Sequence, residues 1–268
     1  MIYRSIGVVL LAFVLCGQST ALDLGLSDLT REKKVLAVNF GGMAFITAYG
    51  LAKWDYFDRS PHAKPEGWFG QNDDEGGADK LGHLWSSHAV ADSLAHLYQG
   101  WGYEPEQAMF NGALSSFAIM GFMELGDSFS DYGFSYEDML MNTVGSASSY
   151  LLYKYPALDE KIDLRWEYIP KFDEADFFTD YQNSKYLVAV QLDGFDEIRD
   201  TPLSYLELHM GYYIRGFDTR APDRERNVYV GVGLNVGKLL ARAGCGSFCS
   251  MFHYYQAPYT YVSGKSKL

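Results

Sequence analysis

Residues 227–237 read Asn-Val-Tyr-Val-Gly-Val-Gly-Leu-Asn-Val-Gly, which puts Val228, Val230, Val232, Leu234 and Val236 at every second position. A strict period of two marks a β-strand with one apolar face, either buried or against lipid. Residues 204–214 repeat the pattern with Leu206, Leu208, Met210, Tyr212 and Ile214. The polar stretch 218–226, with Pro222, reads as the hairpin loop between them. A third strand is expected over 186–192. Three strands cannot close a membrane barrel, which needs about eight. The expectation is therefore a small antiparallel sheet packed on helices. Ala257-Pro258-Tyr259 is expected to end the ordered part, leaving the Ser-Gly-Lys-Ser-Lys tail loose.

Upstream of about residue 160 the period is helical. Val35–Trp54 is one apolar run whose only charge is Lys53 and which contains Gly41, Gly42, Ala44, Ala48 and Gly50. Its length is close to the ~20 residues that span a bilayer. A fully buried core helix has the same composition, and both readings stand. Pro61, Pro65, Gly67, Gly76 and Gly77 make a loop of the stretch that follows. A second helix is expected over 80–98, stopped by Gly100 and Gly102. A third begins at Pro105, a favoured first-turn residue, and is almost wholly apolar from Ala108 to Met123. A fourth is expected from Ser135 to Tyr155, ahead of Pro156. The fold class is thus α+β: an N-terminal helical bundle of about four helices with a small C-terminal antiparallel β-sheet. The expected domains are 22–160, helical, and 161–268, β-rich, after a leader over 1–21.

The leader rests on Arg4, the uncharged apolar run Ile6–Cys16, and small residues at Ser19-Thr20-Ala21, where a signal peptidase would cut. An uncleaved anchor helix is the alternative. Leu15 before Cys16 is too large for a good lipidation site. The expected location is the cell envelope of a Gram-negative-type bacterium, with the protein exported and either membrane-associated or periplasmic. The net charge of −12 over 268 residues excludes nucleic acid as a partner and argues against electrostatic docking on anionic lipid. A membrane or lipid is the expected partner, because aromatics reach 16% and the helices carry little charge. Beyond the leader, Cys245 and Cys249 permit a disulfide, or a pair of buried thiols.

The chemistry-bearing residues sit inside the apolar helices. Asp79 and His83 are four apart on the second helix and share a face with Ser86 and Ser87. Glu124 and Asp127 end the third. Asp138 and Asn142 are four apart on the fourth, on a face with Gly145 and Ser149. Ionisable groups in apolar surroundings are costly, so these are expected to meet at one end of the bundle. Two readings follow. The cluster is structural glue, with Ser135 and Asp138 as a capping box. Alternatively Asp79, His83, Glu124 and Asp138 bind a divalent metal such as zinc or manganese, with His83, Glu124 and Asp138 as catalytic candidates. A second set, His88, Asp92 and His96, is expected on the opposite, exposed side of its helix.

Asp79-Lys80-Leu81-Gly82-His83, Glu124-Leu125-Gly126-Asp127-Ser128-Phe129-Ser130, Tyr132-Gly133-Phe134-Ser135-Tyr136-Glu137-Asp138 and Asn142-Thr143-Val144-Gly145 occur in that order. In this the chain resembles the YfiM-like family of envelope proteins, some of them lipoproteins, which have no assigned activity. The order Asp-Lys-x-x-His, Glu, Asp-x3-Asn-x2-Gly is also similar to that of the VanZ-like membrane proteins. The likeness covers roughly residues 65 to 155, and Asp180-Tyr181 with the strands after it resembles the C-terminal extension of longer members. The weak lipidation site and Asp127-Ser128, where Asp-Gly is expected, depart from the pattern. The resemblance implies an envelope location and a helical fold, and it names no substrate. Two functions remain open: a non-catalytic module that binds lipid or a protein partner, and a metal-assisted hydrolase of an envelope lipid or glycan.

Overall fold

The computed structural model describes residues 26, 28–169, 178–217, 224–244 and 246–268. The leader, its cleavage point, Cys16 and Cys245 lie outside the described residues, as does most of the 218–226 hairpin loop. The fold is α+β, with helices first and an antiparallel sheet after them. Helices α1 (Arg31–Lys53), α2 (Ala78–Gly100), α3 (Pro105–Asp127) and α4 (Tyr136–Lys154) precede strands β1 (Ile162–Tyr168), β2 (Ser184–Gln191), β3 (Leu206–Arg215), β4 (Glu225–Leu234) and β5 (Tyr261–Lys267). Short helices α5 (Pro156–Asp159), α6 (Asp196–Arg199) and α7 (Val236–Arg242) link them. The chain forms two compact units. One holds α1, α3, nearly all of α4 and α2 from Ser86 onward. The other holds 68–85, with the first two turns of α2, and the chain from Leu152 on.

In the helical unit, Thr30 caps α1 by accepting from the Lys33 N–H. Ser135 caps α4, its Oγ accepting from the Asp138 N–H at 3.2 Å. The helices meet through small and polar residues. A Cβ on Gly112 of α3 would lie 2.4 Å from the Ala91 carbonyl of α2, so only glycine allows that approach. The Tyr98 hydroxyl donates to Ser115 Oγ at 2.9 Å, and Asn39 Nδ2 of α1 donates to the same oxygen at 2.9 Å. Ser116 donates to the Ser87 carbonyl and receives a bond from Ser146. The buried stripe of α4 is Glu137, Asp138, Asn142, Gly145, Ser146 and Ser149, without one aliphatic side chain. Ile46, Trp54, Tyr98, Ile119 and Met120 are buried, but many large apolar residues point outward: Phe40 is 67% exposed, and Leu36, Leu51, Phe110, Leu114, Leu140 and Leu151 are exposed too. A soluble bundle turns most such groups inward.

The sheet unit is a meander in the order β1-β2-β3-β4-β5, every pair antiparallel. Two strands depart from expectation. β1 was passed over, although Ile162, Leu164, Trp166 and Tyr168 alternate with Asp163, Arg165 and Glu167. The C-terminal tail is not loose: Tyr261–Lys267 pairs with β4 from Gly233 to Asn227. Its backbone bonds hold it, and a strand with only Tyr261 and Val262 as large apolar residues gives no apolar period. The strand expected to reach Gly237 stops at Leu234, because Asn235 caps α7 by accepting from the Lys238 N–H. Within this unit the first turns of α2 cover one end of the sheet: Ala78 and Leu81 pack against Tyr212 and Ile214, and Trp85 against Trp166.

Gly112→Val should therefore destabilise the helical unit by ~1–3 kcal/mol through overpacking. Gly41→Ala, at a helical position with open space around it, should be neutral or stabilising by up to ~1 kcal/mol. Denaturation midpoints of the two variants in the same detergent check the contrast.

Candidate functional site

The centre of the helical unit is a chain of hydrogen bonds between three helices. Ser87 Oγ of α2 donates to Asn142 Oδ1 of α4 at 2.8 Å. Asn142 Nδ2 in turn donates to Glu124 Oε1 of α3 at 3.2 Å. Ser87 and Asn142 are fully buried and Glu124 is 1% exposed. Asn142 suits this place because an amide both accepts and donates, which links a hydroxyl to a carboxylate.

Asp138, one turn before Asn142, is also buried. Carboxylate oxygens of Asp138 and Glu124 come within 4.8 Å of one another, and so do those of Asp138 and Glu66. Two ionised carboxylates at that separation repel by roughly 3 kcal/mol at an effective dielectric of about 20. A shared proton or a bound cation relieves that cost. Glu66 was not among the expected residues; it comes from a Pro-Glu-Gly loop that carries no motif. Beside it, the Gly67 N–H donates to Glu137 Oε1 at 3.0 Å, which fixes the loop to the start of α4.

Asp127 ends α3 half-buried, and its carbonyl accepts from Gly133 N and Ser130 Oγ, shaping the turn into α4. Its carboxylate adjoins the Tyr56 phenol, which burial and then the Asp127 and Glu124 charges push well above its ordinary range. Tyr56 itself is wedged where Gly50 and Gly126 leave room; a Cβ on either would lie within 2.4 Å of the ring. His88 corrects the expectation of an exposed stripe: it is buried, with Nδ1 2.9 Å from Ser148 Oγ. His96 matches the expectation, half-exposed and paired with Asp92 at 3.3 Å.

In the sheet unit, Asp79 and His83 occupy the first turns of α2. Asp79 Oδ2 is 2.6 Å from the Lys80 ammonium, which is completely buried. Asp79 thus has an internal counter-ion. Lys80 stood in the Asp-Lys-x-x-His motif but not among the expected ligands. Nearby Asp73 has its carboxyl pushed up to about 6, first by burial and then by the Asp79 charge. A second polar network, unforeseen from sequence, lies on one face of the sheet. Arg165 bridges Asp163 at 2.6 Å and Glu207 at 2.7 Å, and donates to Gln256 at 3.0 Å. Glu207 also meets His209 Nε2 at 2.7 Å. His253 Nδ1 lies 3.0 Å from Asp163, whose carboxylate also accepts from Gln191 at 2.6 Å. Burial alone would raise Asp163; His253 and Arg165 outweigh it and hold the carboxyl below the usual range. Cys249 is disulfide-bonded, while Cys245 lies outside the described residues.

Residues 65–154 match a protein family described as "Predicted periplasmic lipoprotein (DUF2279)". The match supports an exported protein of the Gram-negative envelope, and the description as a lipoprotein suggests membrane association. No curated protein and no solved structure matches the chain.

Asn142→Ala removes the buried hydrogen bonds to Ser87 and Glu124. It should cost ~1–3 kcal/mol in denaturation at neutral pH. Asp73→Asn keeps the acceptor that holds the Glu75 N–H. The raised carboxyl of Asp73 favours folding below pH 3.8, its ordinary value, and that contribution is lost as pH rises through about 6. The Asn variant should therefore be more stable than the parent at pH 7 and lose that advantage at pH 4, which unfolding titrations at both pH values check.

Proposed function

We propose that this is a membrane-held envelope protein whose helical unit binds one divalent cation through Glu124 and Asp138. The carrying observation is the buried pair Glu124 and Asp138, whose carboxylate oxygens come within 4.8 Å. Asn142 and Ser87, which are bonded to this site, are neutral groups. A dication between the two carboxylates would offset their mutual repulsion. An oxygen-rich donor set of this kind suits manganese. Glu66 is a further oxygen donor at the loop side. Asp79, first counted as a ligand, is better read as the partner of Lys80. The order of these residues along the chain, which resembles YfiM-like and VanZ-like proteins, fits the same reading.

The membrane part of the proposal is supported by the exposed apolar faces of α1 and α3, both long and apolar enough to cross a bilayer. Small residues and hydroxyls at helix contacts, with Phe and Leu outward, are the packing expected where lipid is the solvent.

Titration calorimetry of the chelated, detergent-solubilised protein with Zn²⁺ and with Mn²⁺ should show one site. Glu124→Gln and Asp138→Asn should each weaken it at least ~10-fold, equivalent to about 1.4 kcal/mol. A parent protein that binds neither ion, with both variants destabilised by ~1–3 kcal/mol, would leave the cluster as structural glue and overturn the cation site. Carbonate washing should leave the protein in the membrane pellet; its release to the supernatant refutes the membrane part.

A further inference from the structure

The two faces of the sheet differ in charge almost completely. Register keeps even-numbered residues on one face across all five strands: Trp166 pairs with Tyr186, Tyr186 with Tyr212, Met210 with Val230, and Val230 with Gly264. The odd-numbered face carries Asp163, Arg165, Glu167, Lys185, Glu207, Arg215, Glu225, Lys265 and Lys267, together with His209. The even-numbered face carries a single charge, Arg226 at the start of β4, and no acidic residue, in a chain of net charge −12. Chance does not strip a face of this size of carboxylates in so acidic a protein.

Burial runs opposite to polarity. Asp163, Arg165, Glu167, Glu207 and His209 are buried on the odd-numbered face. On the other face, beyond the end covered by α2, Met210 is 64%, Val230 65% and Val262 77% exposed, with Leu208, Val232 and Leu234 exposed beside them. A soluble sheet turns its aliphatic side inward. Polar inside and aliphatic outside is the arrangement of a sheet solvated by lipid.

We infer that the even-numbered face of β3, β4 and β5 docks on the acyl chains of a lipid bilayer. The charge at its rim fits that occupant. Arg226 stands at one end of β4, and Lys238 and Arg242 of α7 follow the other end, where they can meet anionic headgroups. Exposed Tyr259, Leu203 and Leu239 lie in the connections at that end and suit the interface between headgroup and chain. The sheet does not span. β5 ends the strand order among the described residues, and an open edge inside hydrocarbon would leave its backbone groups without partners. The face therefore lies on the membrane with its edge at the water boundary. This goes beyond the helical membrane reading and does not require it.

The test uses the full mature protein in vesicles of phosphatidylethanolamine and phosphatidylglycerol doped with a phospholipid bearing a diazirine on its acyl chain. After irradiation, adducts are mapped by peptide mass spectrometry. Adducts should fall on Leu208, Met210, Val230, Val232, Leu234 and Val262 and spare the odd-numbered residues of the same strands. Met210→Glu with Val230→Glu, a cross-strand pair, should cut strand labelling at least fivefold while amide exchange shows the sheet intact. Labelling confined to 31–53 and 105–127 would overturn the inference and leave the helical reading standing. Labelling of the strands alone would do the reverse. Strand residues that escape lipid and instead cross-link to a second copy would overturn it in favour of a homodimer.

Discussion

Two carboxylates inside an apolar helical unit, Glu124 and Asp138, set the terms for the residues around them. Each must be hydrogen-bonded or compensated, because a buried unpaired charge costs several kcal/mol. Asn142 answers for Glu124, and Ser87 answers for Asn142. The Ser135 cap and the Gly67–Glu137 bond then hold the loops on which Asp138 and Glu66 depend. Small residues at the helix contacts follow from the same demand. Glycine at 112 and serine at 115, 116 and 146 let backbones approach closely enough for short side chains to reach across.

The sheet unit solves a similar problem with a different element. Arg165, held between Asp163 and Glu207, is buried among carboxylates, histidines and amides. Such a network contributes little net stability compared with an aliphatic core of the same volume. Its cost is the consequence of sending the aliphatic side chains outward. In each unit, taken by itself, a buried polar network stands beside the apolar clusters, and a set of large apolar groups lies outside. Water on all sides would penalise both choices; lipid against those outward faces rewards them.

Much of this was legible in the residues. The four helices follow from apolar runs, from Pro105 and Ser135 at their starts, and from Gly100 and Gly102 beyond one end. The strands β3 and β4 follow from strict alternation. The spacing Asp138-Asn142 marks a face of α4 that is buried. The sequence reading missed β5, because its residues carry no apolar period and backbone pairing with β4 defines the strand. It missed Glu66, because loop residues reach a site through chain path rather than periodicity. It missed the Arg165 network, because alternation along single strands does not show that the charged face is the buried one.

That last miss marks the division between sequence and tertiary structure. Periodicity by itself determined which residues share a face: 3.6 for the helices and 2 for the strands, and register then carried the faces intact across the sheet. It could not determine which face turns inward, since an alternating pattern is the same read from either side. Tertiary structure decided that. Closing the 3-10 turn at Gly246–His253 on Asp163 put a cover on the charged face, while α2 covered only the Tyr212 and Trp166 end of the other face and left Met210, Val230 and Val262 outside. The physical reason is that a side chain's polarity fixes the cost of each environment, while only the packing of distant segments fixes which environment it meets.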